Sequence, residues 1–137
     1  MSKLLELAER CEKADEADQI IIIQAAFAAM HPKPEADYQP RRVPMFAPEF
    51  DAWAKLRARV LNCLCWNCGL EAAIALVPEG WTWVLFATGG AVLDRVIPSD
   101  GENKIRILSC ATPALALCAA ALRALASQED QSLTVVE

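Results

Sequence analysis

Two apolar runs separated by glycines occupy the C-terminal third of the chain, and they constrain its fold more than any other feature. Trp81–Phe86 and Ala91–Ile97 flank Gly89-Gly90, and a third alternating run contains Ile105 and Ile107. A Gly-Gly pair suits a primed two-residue hairpin turn, in which positive φ angles are needed. The order of these runs predicts an antiparallel three-stranded meander.

Both faces of the first predicted strand are largely apolar. Its alternating residues are Trp81, Trp83 and Leu85 on one face, and Thr82, Val84 and Phe86 on the other. We therefore expect a sheet that is covered on both sides. In the third strand Lys104 and Arg106 alternate with isoleucines, which is typical of an edge strand whose charges discourage aggregation.

A helix follows the sheet. Thr112 is the expected N-cap and Pro113 the first helical residue. The Ala/Leu-rich sequence after them is apolar nearly all round, so this helix, ending near Ser127, is predicted to be the central packing element. Residues 128–137 are predicted to form a flexible tail.

Helices are also predicted before the sheet. Apolar residues at helical spacing indicate an amphipathic helix over about 4–14. An acidic turn at 15–18 supplies a capping residue for a second helix, Gln19–Met30. Five prolines between Pro32 and Pro48 predict an extended segment, 31–48, that wraps across the domain surface.

Pro48 suits the first turn of a third helix. That helix and the cysteines behind it occupy 49–68, which the family resemblance described below implies is an insertion. A short fourth helix ends at Pro78-Glu79-Gly80. Together these elements predict an α+β fold, a three-layer α/β/α sandwich around the meander. We expect a single domain over 1–127.

Charge and hydropathy narrow the classes of function. The net charge of −5 argues against a protein that binds nucleic acid directly, because phosphate contacts need clustered Lys and Arg. The longest apolar run, Ala114–Leu122, has about half the length that crosses a bilayer. The N-terminus turns acidic too early for a secretory signal. These features predict a cytoplasmic protein without a membrane segment.

The chemically suggestive cluster is Cys63, Cys65 and Cys68. Three thiolates in this spacing suit a soft metal such as zinc, with Cys11, Cys110 or His31 as a fourth ligand. Cys65 and Cys68 also have the spacing of a redox motif. The remaining alternative is buried structural thiols, which we favour because the second Cys-x-x-Cys or His pair of a strong zinc signal is missing.

Catalytic residues are not evident in the sequence. His31 is the only histidine, and it lies at a predicted helix end, where its protonated ring can interact with terminal carbonyls. A glycine-rich phosphate loop is also missing. We expect no enzymatic activity and no cofactor.

Two groups of residues are candidates for binding. The four tryptophans, Trp53, Trp66, Trp81 and Trp83, are expected in the core. Trp66, in the cysteine-rich turn, is the candidate for a surface position instead, where it would serve as an interface anchor. The acidic residues near the N-terminus are predicted to form one face. Such a face is most often merely solvated, and the functional alternative is that it mimics nucleic-acid phosphate. They are Glu6, Glu9, Glu12, Asp15, Glu16 and Asp18.

Two blocks of the chain carry a family resemblance. Gly69–Trp83 and Ala111–Arg123, together with the opening Leu4–Arg10, resemble the phage ABA-sandwich domain family, small proteins of tailed phages and of proteobacterial prophages. The resemblance covers about two-thirds of the chain, departs from the family pattern between about His31 and Cys68, and implies a phage or prophage origin without an assigned reaction.

These observations predict a non-enzymatic phage or prophage accessory protein that acts by protein–protein interaction. Its expected location is the cytoplasm of an infected or lysogenic bacterial host. The concrete hypothesis is an acidic, anti-CRISPR-like inhibitor that occupies the basic nucleic-acid groove of a host defence complex. The alternatives are a minor virion or assembly protein, which would self-associate, and a zinc- or thiol-dependent protein.

Overall fold

The computed structural model describes residues 3–32, 48–66, 68–87, 89–98 and 103–135. Its elements, in chain order, are α1 (Lys3–Lys13), a 3₁₀ turn (Glu16–Asp18), α2 (Gln19–Met30), α3 (Pro48–Cys65), α4 (Gly69–Leu76), β1 (Trp81–Leu85), β2 (Ala91–Arg95), β3 (Lys104–Ile107) and α5 (Pro113–Val135). The predicted α+β class with its antiparallel meander is confirmed. Residues 33–47, most of the predicted wrapping segment, lie outside the described residues.

The first two helices form where the sequence predicts them. In α1 the residues at helical spacing, Leu4, Leu7, Ala8 and Cys11, are buried. In α2 the predicted boundaries hold, but the predicted capping does not, because neither Asp15 nor Asp18 makes a side-chain cap hydrogen bond. The backbone closes this turn instead, since the Asp18 N–H donates to the Asp15 carbonyl at 3.0 Å.

Helix α5 holds the central position. It packs against α1, α2, α4 and all three strands, and every residue from Ala114 to Leu122 is buried. The predicted start is confirmed, because the Leu115 N–H donates to Thr112 Oγ1 at 3.2 Å. The helix continues to Val135 rather than ending near Ser127, so most of the segment predicted as a tail is helical.

The three strands lie in the order β1-β2-β3, and both pairs are antiparallel. Trp83 lies opposite Leu93, and Leu93 lies opposite Ile105. The predicted turn at Gly89-Gly90 is wrong in position. The Gly89 N–H closes a turn onto the Phe86 carbonyl, so Gly89 ends the turn and the two glycines are not its central residues. Of this pair, only Gly89 has a positive φ, +90°.

Only one face of the sheet belongs to the core. Ala91, Leu93, Ile105 and Ile107 are buried in the hydrophobic cluster that α5 dominates. On the opposite face, which carries Thr82, Val84, Lys104 and Arg106, these four side chains are exposed. On the same face Val92, in the central strand, is buried between Val84 and Arg106. The structure therefore does not show the predicted coverage of this whole face, since its outer residues are exposed. The contacts place α5 at the centre, and they do not show a three-layer order with the sheet in the middle.

Candidate functional site

Strand β1 exposes large apolar side chains. Trp83 is 38% exposed, Val84 50% and, just after the strand, Phe86 47%. A largely exposed apolar edge is unusual in a sheet, because such edges pair readily with other chains. This strand is the first candidate for a binding site.

The backbone of β1, like its side chains, offers groups that a partner can bind. The Phe86 N–H donates to the Gly90 carbonyl and the Val96 N–H donates to the Gly80 carbonyl, which makes the even-numbered residues of β1 the ones bonded to β2. Along an antiparallel strand, successive residues direct their backbone groups alternately toward and away from the neighbouring strand. The N–H and C=O groups of Trp81, Trp83 and Leu85 therefore point away from β2. No strand among the described residues pairs with them. We call these groups the outer edge of β1.

The opposite edge of the sheet is chemically different. The Arg95 N–H donates to the Asn103 carbonyl, so in β3 the outward-pointing amides belong to Lys104 and Arg106. Both side chains are exposed, and Lys104 Nζ lies 3.8 Å from Asp94 Oδ1. One edge of the sheet therefore carries charge and the other carries none.

Further exposed apolar residues lie at the ends of the strands. Val96, Ile97 and Leu108 are all largely exposed. At the start of β1, by contrast, Trp81 is buried, and the Arg95 guanidinium lies 5.1 Å from its ring. Trp81 therefore anchors β1 to the sheet, and Trp83 and Phe86 remain accessible.

Trp66 lies at the C-terminal end of α3. Trp66 is 76% exposed, and its backbone N–H donates to the Asn62 carbonyl at 3.1 Å. The predicted exposure is confirmed, and the predicted binding role stays a prediction. Of the tryptophans predicted in the core, Trp81 is buried, Trp53 is partly buried and Trp83 is exposed.

The structure does not gather Cys63, Cys65 and Cys68 into a metal centre. Among the described residues no group of three or more His, Cys, Asp or Glu side chains is arranged to hold a metal ion. Cys63 and Cys65 both lie within α3, and positions two apart on a helix are separated by about 200° around its axis. Cys63 is consequently half-buried, with its Sγ 4.0 Å from Glu71 Oε2, whereas Cys65 is exposed.

A different pair of cysteines lies together. Cys11 on α1 and Cys118 on α5 are both fully buried. Hydrogen bonding with the Cys11 thiol, together with burial, raises the pKa of Cys118 well above its ordinary value, and the same interaction lowers the pKa of Cys11. Burial, with the nearby charges of Glu12 and Cys11, raises the pKa of Cys110 to about 11. The thiols of Cys110 and Cys118 are therefore poor nucleophiles at neutral pH, and burial withholds Cys11 from solvent.

His31 lies in a groove of about 410 Å³ between α2 and α3, beside Phe27 and Trp53. Its carbonyl accepts a hydrogen bond from Trp53 Nε1 at 2.9 Å, and its ring centroid lies 5.6 Å from that of Phe27. Among the described residues that line this groove there is no cysteine. Burial lowers the pKa of His31, which disfavours the protonated ring of the predicted role. The ring lies beside Phe27.

The predicted acidic face is divided by the fold. Glu12 turns toward α5, where Arg123 Nη2 donates to its Oε2 at 2.6 Å. Glu6, Glu9 and Asp18 line a surface groove of about 460 Å³ between α1 and α2, but Arg10 and Lys13 line the same groove. Asp15 and Glu16 are exposed in the 3₁₀ turn. The six carboxylates therefore do not form one uniformly acidic surface.

Comparisons with protein-family models, with curated proteins and with solved structures find no match for this chain. The resemblance to the phage ABA-sandwich domain family thus rests on the sequence blocks alone. Within the described ranges, none of the helices is both long enough and apolar enough to span a bilayer.

Sequence reasoning missed the features that define this site. Periodicity identified both faces of β1, but it gave no sign that one of them would be left uncovered. The contrast between an uncharged first strand and a third strand carrying Lys104 and Arg106 was visible in the sequence. Read as two edges of one sheet, that contrast could have identified β1 as the exposed apolar edge.

Proposed function

We propose that this protein acts by binding another protein through β1 and the exposed face of its sheet. The observation that carries the proposal is the combination, in one strand, of exposed Trp83 and Val84 with unpaired backbone groups. An extended segment of a partner can add to such an edge by main-chain hydrogen bonds, and side chains on both faces then supply apolar contact.

Burial of the exposed apolar side chains of β1 would contribute substantially to the free energy of binding. Complete burial of a large apolar side chain is worth roughly 1.5–3 kcal/mol. Val84 and Phe86 are each about half exposed, so covering them recovers roughly half of that for each side chain. This gain comes in addition to the hydrogen bonds that a partner strand makes with the outer edge of β1.

The biological setting is a narrower proposal. The resemblance and the net charge of −5 support a phage or prophage accessory protein, in its sharpest form an acidic inhibitor of a host nucleic-acid-guided defence complex. The exposed carboxylates of Glu6, Asp15, Glu16 and Asp18 support that form, and the neighbouring Arg10 and Lys13 weaken it. The outer edge of β1 favours the second candidate, a virion or assembly protein.

Affinity capture with three surface variants tests the proposal. The tagged full-length chain is used as bait in an extract of a bacterial host, and bound proteins are identified by mass spectrometry. Val84→Lys places a charge on the exposed sheet face, and Ile21→Lys places one in the groove between α1 and α2. Ala58→Lys, on the exposed surface of α3, is the control for added charge.

We expect Val84→Lys to lose a partner that the wild-type chain and Ala58→Lys both retain. Loss with Ile21→Lys alone would assign binding to the groove between α1 and α2 and refute the role of the sheet. Equal capture by all four proteins would remove both surfaces from consideration.

A further inference from the structure

We propose that the partner of β1 is a second copy of this chain, with the two β1 strands paired antiparallel to form one continuous sheet. The inference rests on the proposed function and specifies its partner. The competing occupant, an extended segment of a different protein, is an outcome of the test below.

The backbone groups of the outer edge are self-complementary. With Trp83 on a two-fold axis, Trp83 faces its own copy and Trp81 faces Leu85 of the second copy. All three of these residues direct their N–H and C=O groups outward, so each opposed pair exchanges both of its hydrogen bonds. This register leaves none of the outward groups of β1 unpaired. A two-fold interface of this kind uses the same patch on both subunits.

Electrostatic repulsion between two copies of the chain is smaller at the outer edge of β1 than elsewhere on the surface. Each chain carries a net charge of −5, so two copies repel each other over most of their surfaces. Strand β1 contains no charged residue, and its exposed face brings Thr82 opposite Val84 of the second copy. Pairing through β3 would instead bring Lys104 and Arg106 close to the same cations of the copy, which is destabilising.

The expected interface is small. A strand of five residues buries less than the roughly 1,600 Å² of a standard interface. The contact between Trp83 and its copy at the axis and the partial covering of Phe86 add apolar area. We therefore expect a dimer that forms reversibly and dissociates on dilution.

Two measurements on the purified full-length chain, without any other protein, test the inference. Sedimentation equilibrium over a dilution series should show a mass that rises from 15.0 kDa toward twice that value with concentration. Hydrogen exchange should show the amides of Trp83 and Leu85 protected in concentrated samples and exposed in dilute ones. The outward amides of Lys104 and Arg106 should exchange equally at both concentrations.

Paired variants separate edge pairing from general charge effects. Thr82→Lys with Val84→Lys brings lysines opposite one another in the proposed register and should keep the chain monomeric. Ala58→Lys with Leu108→Lys adds the same charge at exposed sites away from β1 and should leave the dimer intact. Circular dichroism confirms that both variants fold. Because hydrogen exchange uses the wild-type chain, the test does not depend on the variants.

A mass of 15.0 kDa at every concentration would overturn the inference. A dimer without protection of Trp83 and Leu85 would also overturn it, because another surface would then hold the copies together. The proposed function is judged separately by the capture experiment. A monomer that still captures a host protein through Val84 leaves the function standing and makes the occupant a different protein. A dimer that captures nothing supports self-association and refutes binding to a host protein.

Discussion

The Thr112 hydroxyl donates a 2.5 Å hydrogen bond to Gln19 Oε1, and this bond joins the start of α5 to the start of α2 across 93 residues of sequence. The same hydroxyl accepts the Leu115 N–H as the cap of α5. Gly69, the first residue of α4, lies against the Gln19 amide so closely that an added Cβ would collide with it. The first turns of three helices therefore meet at one polar contact.

Removing this hydroxyl should destabilise the fold. Thr112→Ala loses the cap and the bond to Gln19, and we expect about 1–2 kcal/mol less free energy of unfolding. Thr112→Ser retains both bonds and is the control. In a double-mutant cycle with Gln19→Ala, measured by chemical denaturation, we expect a coupling of about 0.5–1 kcal/mol. Strict additivity of the two substitutions would show that the bond contributes nothing measurable.

Helix α5 should be far more sensitive to truncation than the exposed end of the sheet. Leu115 is fully buried, and Leu115→Ala is expected to cost about 2–5 kcal/mol through lost burial and a residual cavity. Leu108 is 79% exposed, and Leu108→Ala should change stability by less than about 0.5 kcal/mol. Thermal and urea unfolding of both variants measure the difference, and similar losses at the two sites would contradict the central position of α5.

Stability should fall as His31 becomes protonated. Burial lowers its pKa in the folded state, so below the ordinary value of 6.5 the unfolded chain binds the proton more readily than the folded chain does. The contribution of His31 is therefore constant above that pH and declines as the pH falls through it. His31 is the only histidine. We expect His31→Phe to flatten the change in urea midpoint between about pH 7.5 and pH 5.5, and an unchanged slope would exclude His31 as its source.

Alkylation followed by peptide mass spectrometry should order the cysteines by access and ionisation. Exposed Cys65 should react first in the folded protein, Cys110 slowly because of its raised pKa, and buried Cys11 and Cys118 only on unfolding. A chelator should not change the rate at Cys65. Protection of Cys65 that a chelator removes, together with one zinc per chain by elemental analysis, would instead support the metal hypothesis for Cys63, Cys65 and Cys68.

The local elements of this protein are determined by short stretches of its sequence. Apolar spacing is sufficient to place α1 and α2, and Thr112 with Pro113 places the start of α5, because side-chain periodicity and, in α5, cap chemistry act within a few residues. Alternation likewise places Trp83 and Val84 on opposite faces of β1.

The surroundings of those residues depended on tertiary structure. Three features depend on contacts between residues far apart in sequence. They are the exposure of Val84 to solvent, the pairing of Glu12 with Arg123, and the position of Cys11 beside Cys118. Burial and pairing are properties of two surfaces brought together in space. Periodicity in one segment therefore identifies the face that a residue occupies, and only the packed fold decides what lies against it.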